Sequence, residues 1–150
     1  LVNLKGQEWL RKPGALAVDA HRNLYVADNG ARRIRVFTDK KELLYEIGAD
    51  DKSPQGFETI RALALDSDEY LYVLASTSTN RQAVQVYAGP KRVLRFGSGM
   101  ERAPGFGDAA SLSLVAGAPP RVTVYRWRER RPVRHGARAG FPRRGGSPPR

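Results

Sequence analysis

At 150 residues, with 41% apolar and 27% charged side chains, the chain has the length and composition of a single globular domain burying ~60–70% of its unfolded surface. Its longest uncharged run, residues 109–120, falls short of the ~20 residues of a membrane-spanning helix. The absence of cysteine excludes disulfides and thiolate metal sites and leaves the compartment open.

The formal charge of +11 is unevenly placed. Residues 1–100 hold 15 Lys and Arg against 12 Asp and Glu, whereas residues 101–150 hold 11 Arg, no Lys and 3 acids. The basic character therefore belongs mostly to the second part.

In chain order, residues 1–12 begin with "LVNLKG", which resembles the later "LLYEIG" at 43–48. Leu16-Ala17-Val18 is a brief apolar run closed by the polar stretch Asp19-Ala20-His21-Arg22-Asn23. Leu24-Tyr25-Val26 follows, then Asp28-Asn29-Gly30, whose Asn-Gly pair readily supplies the positive φ of a tight hairpin. Ile34-Arg35-Val36-Phe37 alternates with period two, and a Thr38–Lys41 turn leads to Leu43–Ile47. Strands of three to five residues between turn signals predict antiparallel β structure.

The pattern then repeats. "ALAVDAHRNLYVAD" at 15–28 aligns with "ALALDSDEYLYVLA" at 62–75, and "IRVF" at 34–37 with "VQVY" at 84–87. "LLYEIG" aligns with "RVLRFG" at 92–97, and "GF" at 56–57 with "GF" at 105–106. The offsets of 47, 50, 49 and 49 residues are nearly constant. Four strands in about 48 residues is the size of one β-propeller blade. The expected class is all-β, an incomplete propeller of four-stranded antiparallel blades with a disordered basic tail. Its divisions are a last strand and linker over 1–12, blades over 13–60 and 61–107, a partial third blade over 108–125, and the tail over 126–150.

That tail holds nine Arg, four Pro and four Gly in 25 residues, too little apolar surface to offset its ordering entropy. A GC-rich gene read out of frame yields the same composition, so its origin stays open. About two blades cannot close a ring. The expectation is a truncated piece of a longer propeller, with association through open blade edges as the alternative.

The first unit resembles the NHL repeat and its relatives among six-bladed, TolB-like propellers. Pro13, Ala17-Val18-Asp19, Tyr25-Val26-Ala27-Asp28 and Arg33-Ile34-Arg35-Val36-Phe37 carry the resemblance. The second unit departs from it, with Ala75 in place of Asp28 and a longer turn containing Asn80-Arg81. The resemblance implies an architectural role for Asp19, Asp28, Asn29, Gly30, Arg33 and Phe37. The carboxylates accept turn N–H groups, and the arginine stem packs along the blade.

Chemistry-bearing constellations are scarce. His21 sits in a turn and His135 in the tail, no serine has the nucleophile-elbow pattern, and "GSGMER" at 97–102 lacks the third glycine of a dinucleotide loop. Asp66, Asp68 and Glu69 lack the spacing of a calcium loop and read as a solvated turn. No metal, cofactor or catalytic residue is expected. Arg32, Arg33, Arg35 and Arg81 are the candidate binding residues. The expected function is a non-enzymatic scaffold holding a protein or small ligand on a propeller face. A lactonase- or lyase-type propeller enzyme is the first alternative. Nucleic-acid binding through a basic face is the second.

Overall fold

The computed structural model describes residues 10–48, 56–77, 82–97, 109–115, 120–126 and 137–138. The fold is all-β, three antiparallel sheets with no helix among the described residues. Sheet 1 contains β1 (Pro13–Val18), β2 (Leu24–Asp28), β3 (Arg33–Phe37) and β4 (Leu43–Ile47), paired in chain order. Sheet 2 repeats that meander with β5 (Thr59–Leu65), β6 (Tyr70–Ser76), β7 (Gln82–Ala88) and β8 (Lys91–Phe96). Sheet 3 pairs β9 (Ala109–Val115) with β10 (Arg121–Arg126), and β10 with the two-residue β11 (Ala137–Arg138).

The repeat extends to the irregularities. β1 slips register between Pro13 and Leu16 and β5 between Ile60 and Ala62, both against the second strand of their sheet. The outer pairs slip likewise, at Val36/Phe37 and at Val86/Tyr87. Each bulge adds local twist at the same place in both sheets. The sheets are thus equivalent, propeller-blade-like units.

Alternation along the strands supplies two faces per sheet, and the sheets stack through them. Tyr25, Ala27, Ile34, Val36 and Ile47 of sheet 1 pack on Leu71, Val73, Ala75 and Tyr87 of sheet 2, with Phe57 and Ile60 in the same cluster. Sheet 2 turns its other face, with Tyr72, Leu74, Val84 and Val86, to Leu112, Val122 and Val124 of sheet 3. Sheet 2 is therefore buried on both sides, which is why "YLYVLA" is apolar without alternation. Each such Val, Leu or Ile contributes ~1.5–3 kcal/mol by leaving water. The sheets approach through their first strands, β1 against β5 and β5 against β9.

Two sequence expectations change. The Asn29-Gly30 turn is not a two-residue hairpin. Asp28 pairs with Arg33, so four residues form the loop, and the positive φ (54°) falls on Arg32. Gly30 is small for another reason: a Cβ there would lie 2.5 Å from Arg11 Cβ and 3.1 Å from Lys12 N. Close backbone approach, not φ, selects the glycine. The expected disordered tail also gives up three residues to order, since Arg126 ends β10 opposite Ala109 and Arg138 and Ala137 pair with Arg121 and Val122. A backbone ladder on an open edge needs no apolar side chains, so composition gave no sign of it. The rest of 126–150 and most of 1–12 lie outside the described residues.

Candidate functional site

The hairpin between β2 and β3 gathers most of the residues singled out by the sequence. Asp28, fully buried, ends β2 with its carboxylate turned back toward the chain entering β1. Its Oδ1 accepts hydrogen bonds from Lys12 N (2.9 Å), Gly30 N (3.2 Å) and Ala31 N (3.3 Å), and its Oδ2 accepts one from Arg11 N (3.1 Å). Burial alone would raise this carboxyl. The N–H groups of Lys12, Arg11 and Ala31, with Arg35 nearby, outweigh it and hold the group below its ordinary value. One carboxylate thus clamps the entry segment to the hairpin.

Arg33 and Arg35 leave β3 on the same face and converge on Glu46 of β4, the cross-strand neighbour of Arg35. Arg33 Nη1 donates to Glu46 Oε2 at 2.8 Å, and Arg35 Nε to Glu46 Oε1 at 3.0 Å. Arg35 Nη1 also stands 3.9 Å from Asp28 Oδ2. Arg32 turns the other way, to Glu58 Oε1 at 3.0 Å, just ahead of β5. The three arginines therefore do not form one basic face. Each is matched to an acid, two within sheet 1 and one toward sheet 2. Arg81 lies outside the described residues. Phe37 is buried opposite Leu24, on the same face of sheet 1 as Arg35.

Asn29 crosses between sheets. Its Nδ2 donates to Ile60 O at 3.1 Å, and its Oδ1 accepts Ile60 N–H at 2.7 Å. The side-chain amide thus pairs with β5 as a peptide of a neighbouring strand would. A second link between the sheets joins exposed turns, His21 Nε2 to Glu69 Oε1 at 2.9 Å.

Asp19 and its repeat equivalent Asp66 organise the turns at one end of the sheets. Asp19 accepts hydrogen bonds from Asn23 N (2.8 Å), Asn23 Nδ2 (2.8 Å) and the Tyr25 hydroxyl (3.4 Å). Burial opposes its charge, but the Asn23 bonds prevail and lower its pKa. Asp66 accepts from Tyr70 N (2.8 Å), Asp68 N (3.0 Å) and the Tyr72 hydroxyl (3.2 Å). Burial and the adjacent carboxylate push the Tyr72 hydroxyl above its ordinary pKa. The Tyr-to-Asp bond is therefore a repeated feature, 47 residues apart in the sequence.

Beside the Asp66 turn, a cleft of about 160 Å³ opens between sheets 2 and 3, lined by Leu65, Asp66, Ser67, Asp68, Leu114, Val115 and Pro120. Four of these residues are apolar, and Asp66 and Asp68 are acidic. Among the described residues no group of three or more His, Asp or Glu is placed to hold a metal ion. They include no helix long and apolar enough to cross a membrane.

Sequence reasoning missed Glu46 and Glu58, the acids that take up the hairpin arginines. A signal for Glu46 existed: on adjacent strands, Arg35 and Glu46 fall opposite each other once the register is counted. Glu58 had none, because its contact joins two units. No protein-family model matches the chain, and no curated protein is significantly similar to it.

Proposed function

We propose that the chain is part of an NHL-like β-propeller acting as a non-enzymatic scaffold, which holds a protein or small ligand at the end of the blades where the Asp19 and Asp66 turns lie. The observation that carries this reading is the cleft between sheets 2 and 3 at that end, with Leu65, Leu114, Val115 and Pro120 beside Asp66 and Asp68. Apolar walls with a few convergent polar groups are the usual chemistry of recognition. The repeated sheets behind it are joined face to face, which supplies a rigid platform for the turns. Asp28, Arg33, Arg35 and Glu46, the most concentrated ionisable cluster, serve one another and the backbone.

The test is an amide chemical-shift screen of the full chain against short peptides and small molecules. Ligands are expected to perturb Asp66–Asp68 and Leu114–Val115, and Ser67→Trp, which fills the cleft, is expected to abolish the shifts. Hydrolysis of simple lactones with added calcium, or RNA binding with a steep salt dependence, would overturn the reading in favour of another class.

A further inference from the structure

We propose that the β8 edge of sheet 2, on the face turned toward sheet 1, where Arg92 and Arg95 of β8 stand beside Gln85 and Tyr87 of β7, is a binding site for a carboxylate anion. The site is separate from the turn-lined cleft and does not depend on the scaffold reading.

The register creates it. Arg95 is opposite Gln85 and Arg92 opposite Tyr87, with Val93 as the extra residue of the bulge between them. Without the bulge, residues three apart on a strand would face opposite ways. With it, both guanidinium groups project on the face that carries Gln85 and Tyr87. Gln85 is fully buried, and its Oε1 accepts the Tyr87 hydroxyl at 2.9 Å and Arg92 Nη1 at 3.1 Å. Arg95 Nε, by contrast, is buried with no hydrogen-bond partner among the described residues. A desolvated guanidinium donor without an acceptor is costly, and the adjacent like charge of Arg92 adds to the cost. Both effects press the Arg95 pKa downward.

The matching place in sheet 1 holds a carboxylate against arginines. In sheet 1 the pair matching Gln85 and Arg95 is Arg35 and Glu46. There a carboxylate lies between two guanidinium groups, 2.8 Å from Arg33 and 3.0 Å from Arg35. Sheet 2 has Ala83 and Gln85 where Arg33 and Arg35 stood, and carries Arg95 in the place of the carboxylate with Arg92 on the same face. Arginine forks match a planar carboxylate bidentately, so this ligand class satisfies Arg95 and relieves its repulsion with Arg92. Access is available too. The sheets approach through β1 and β5, and β8 is at the opposite edge of its sheet, where Arg92 and Arg95 keep part of their surface in solvent.

The carboxylate can be a free small acid or an acidic side chain of a partner, and the experiment separates them. The full chain is titrated with succinate, and separately with a short oligoglutamate peptide, at ionic strength matched with chloride. The readouts are the Arg95 Nε–Hε resonance and the thermal midpoint. A saturable shift of that resonance is expected. Tighter binding of succinate marks a free acid, and tighter binding of the peptide marks a protein partner. Arg95→Gln is expected to weaken the apparent affinity about tenfold or more, whereas Arg121→Gln, at an exposed position on β10, leaves it unchanged. Arg95→Glu replaces the unpartnered guanidinium with a carboxylate on the same face as Arg92, so it is expected to raise the thermal midpoint and remove the succinate response. The proposal fails if neither titrant moves the wild-type Arg95 resonance, a result that needs no variant to fold. It fails equally if Arg95→Gln responds like the wild type.

Discussion

Asn29 and Ile60, 31 residues apart, are joined by two hydrogen bonds that link successive sheets, Nδ2 to O at 3.1 Å and N–H to Oδ1 at 2.7 Å. The side chain supplies both a donor and an acceptor, as a backbone peptide does, and this selects asparagine over aspartate or serine. Asn29→Ala removes both bonds and leaves the Ile60 groups without their partner, at a cost of ~1.5–3 kcal/mol. Asn29→Asp is expected to cost at least as much, because a carboxylate meets the Ile60 carbonyl. Urea midpoints measure the loss. Faster hydrogen exchange at the Ile60 amide, out of proportion to the global change, would locate it between the sheets.

A second prediction concerns pH. The Asp28 and Asp19 carboxyls are both held below the ordinary value of 3.8 in the folded chain. A group with a depressed folded pKa contributes stability that is complete above its unfolded pKa and is lost as pH falls through the folded value. Stability is therefore expected to be flat from about pH 7 to 5 and to decline below about pH 4. Asp28→Asn should lower stability at neutral pH by ~2–4 kcal/mol and make the acid decline shallower. Denaturant midpoints of wild type and variant from about pH 7 to well below pH 4 check both parts.

Much of the fold was legible before any coordinates. A repeat near 48 residues, short alternating runs and turn residues between them set four strands per unit, and the β4 bounds of Leu43–Ile47 match the sequence reading. Other features were hidden for physical reasons. The positive φ at Arg22, Arg32, Lys41 and Glu69 falls on residues with no intrinsic taste for it, so tertiary pairing imposed what local propensity did not signal. Gly30 was read as a conformational glycine, but the contact it makes room for, Arg11, is 19 positions earlier in the chain. The ionic cluster was half visible. Three arginines in one hairpin looked like a basic surface until strand register and sheet stacking brought Glu46 and Glu58 to them.

Gly48 supplies a third prediction. It follows β4 with φ at +85°, and a Cβ there would lie 2.7 Å from the ring of Phe57. Gly48→Ala therefore combines left-handed strain of ~1–2 kcal/mol with displacement of a buried aromatic. Phe57 in turn sits 6.0 Å, centroid to centroid, from Tyr87. A fall in thermal midpoint is expected, with altered Phe57 and Tyr87 ring resonances. Unchanged ring signals would show that the backbone alone absorbs the methyl group.

The last prediction separates the two arginines that share Glu46. Arg33 is 30% exposed and can exchange its acid for water, whereas Arg35 is 5% exposed and cannot. An ion pair open to solvent contributes little, so Arg33→Gln should cost about 0.5 kcal/mol. Glu46→Gln removes the nearer acidic partner of a buried guanidinium, leaving Asp28 at 3.9 Å, and should cost ~1.5–3 kcal/mol. The difference should be insensitive to salt between about 0.1 and 0.5 M, because the Arg35 contact is shielded from counterions. A double-mutant cycle joining Glu46→Gln with Arg33→Gln and then with Arg35→Gln measures each coupling. A larger coupling to Arg33 than to Arg35 would mean that the exposed pair holds the carboxylate in place and that burial counts for less than these distances imply.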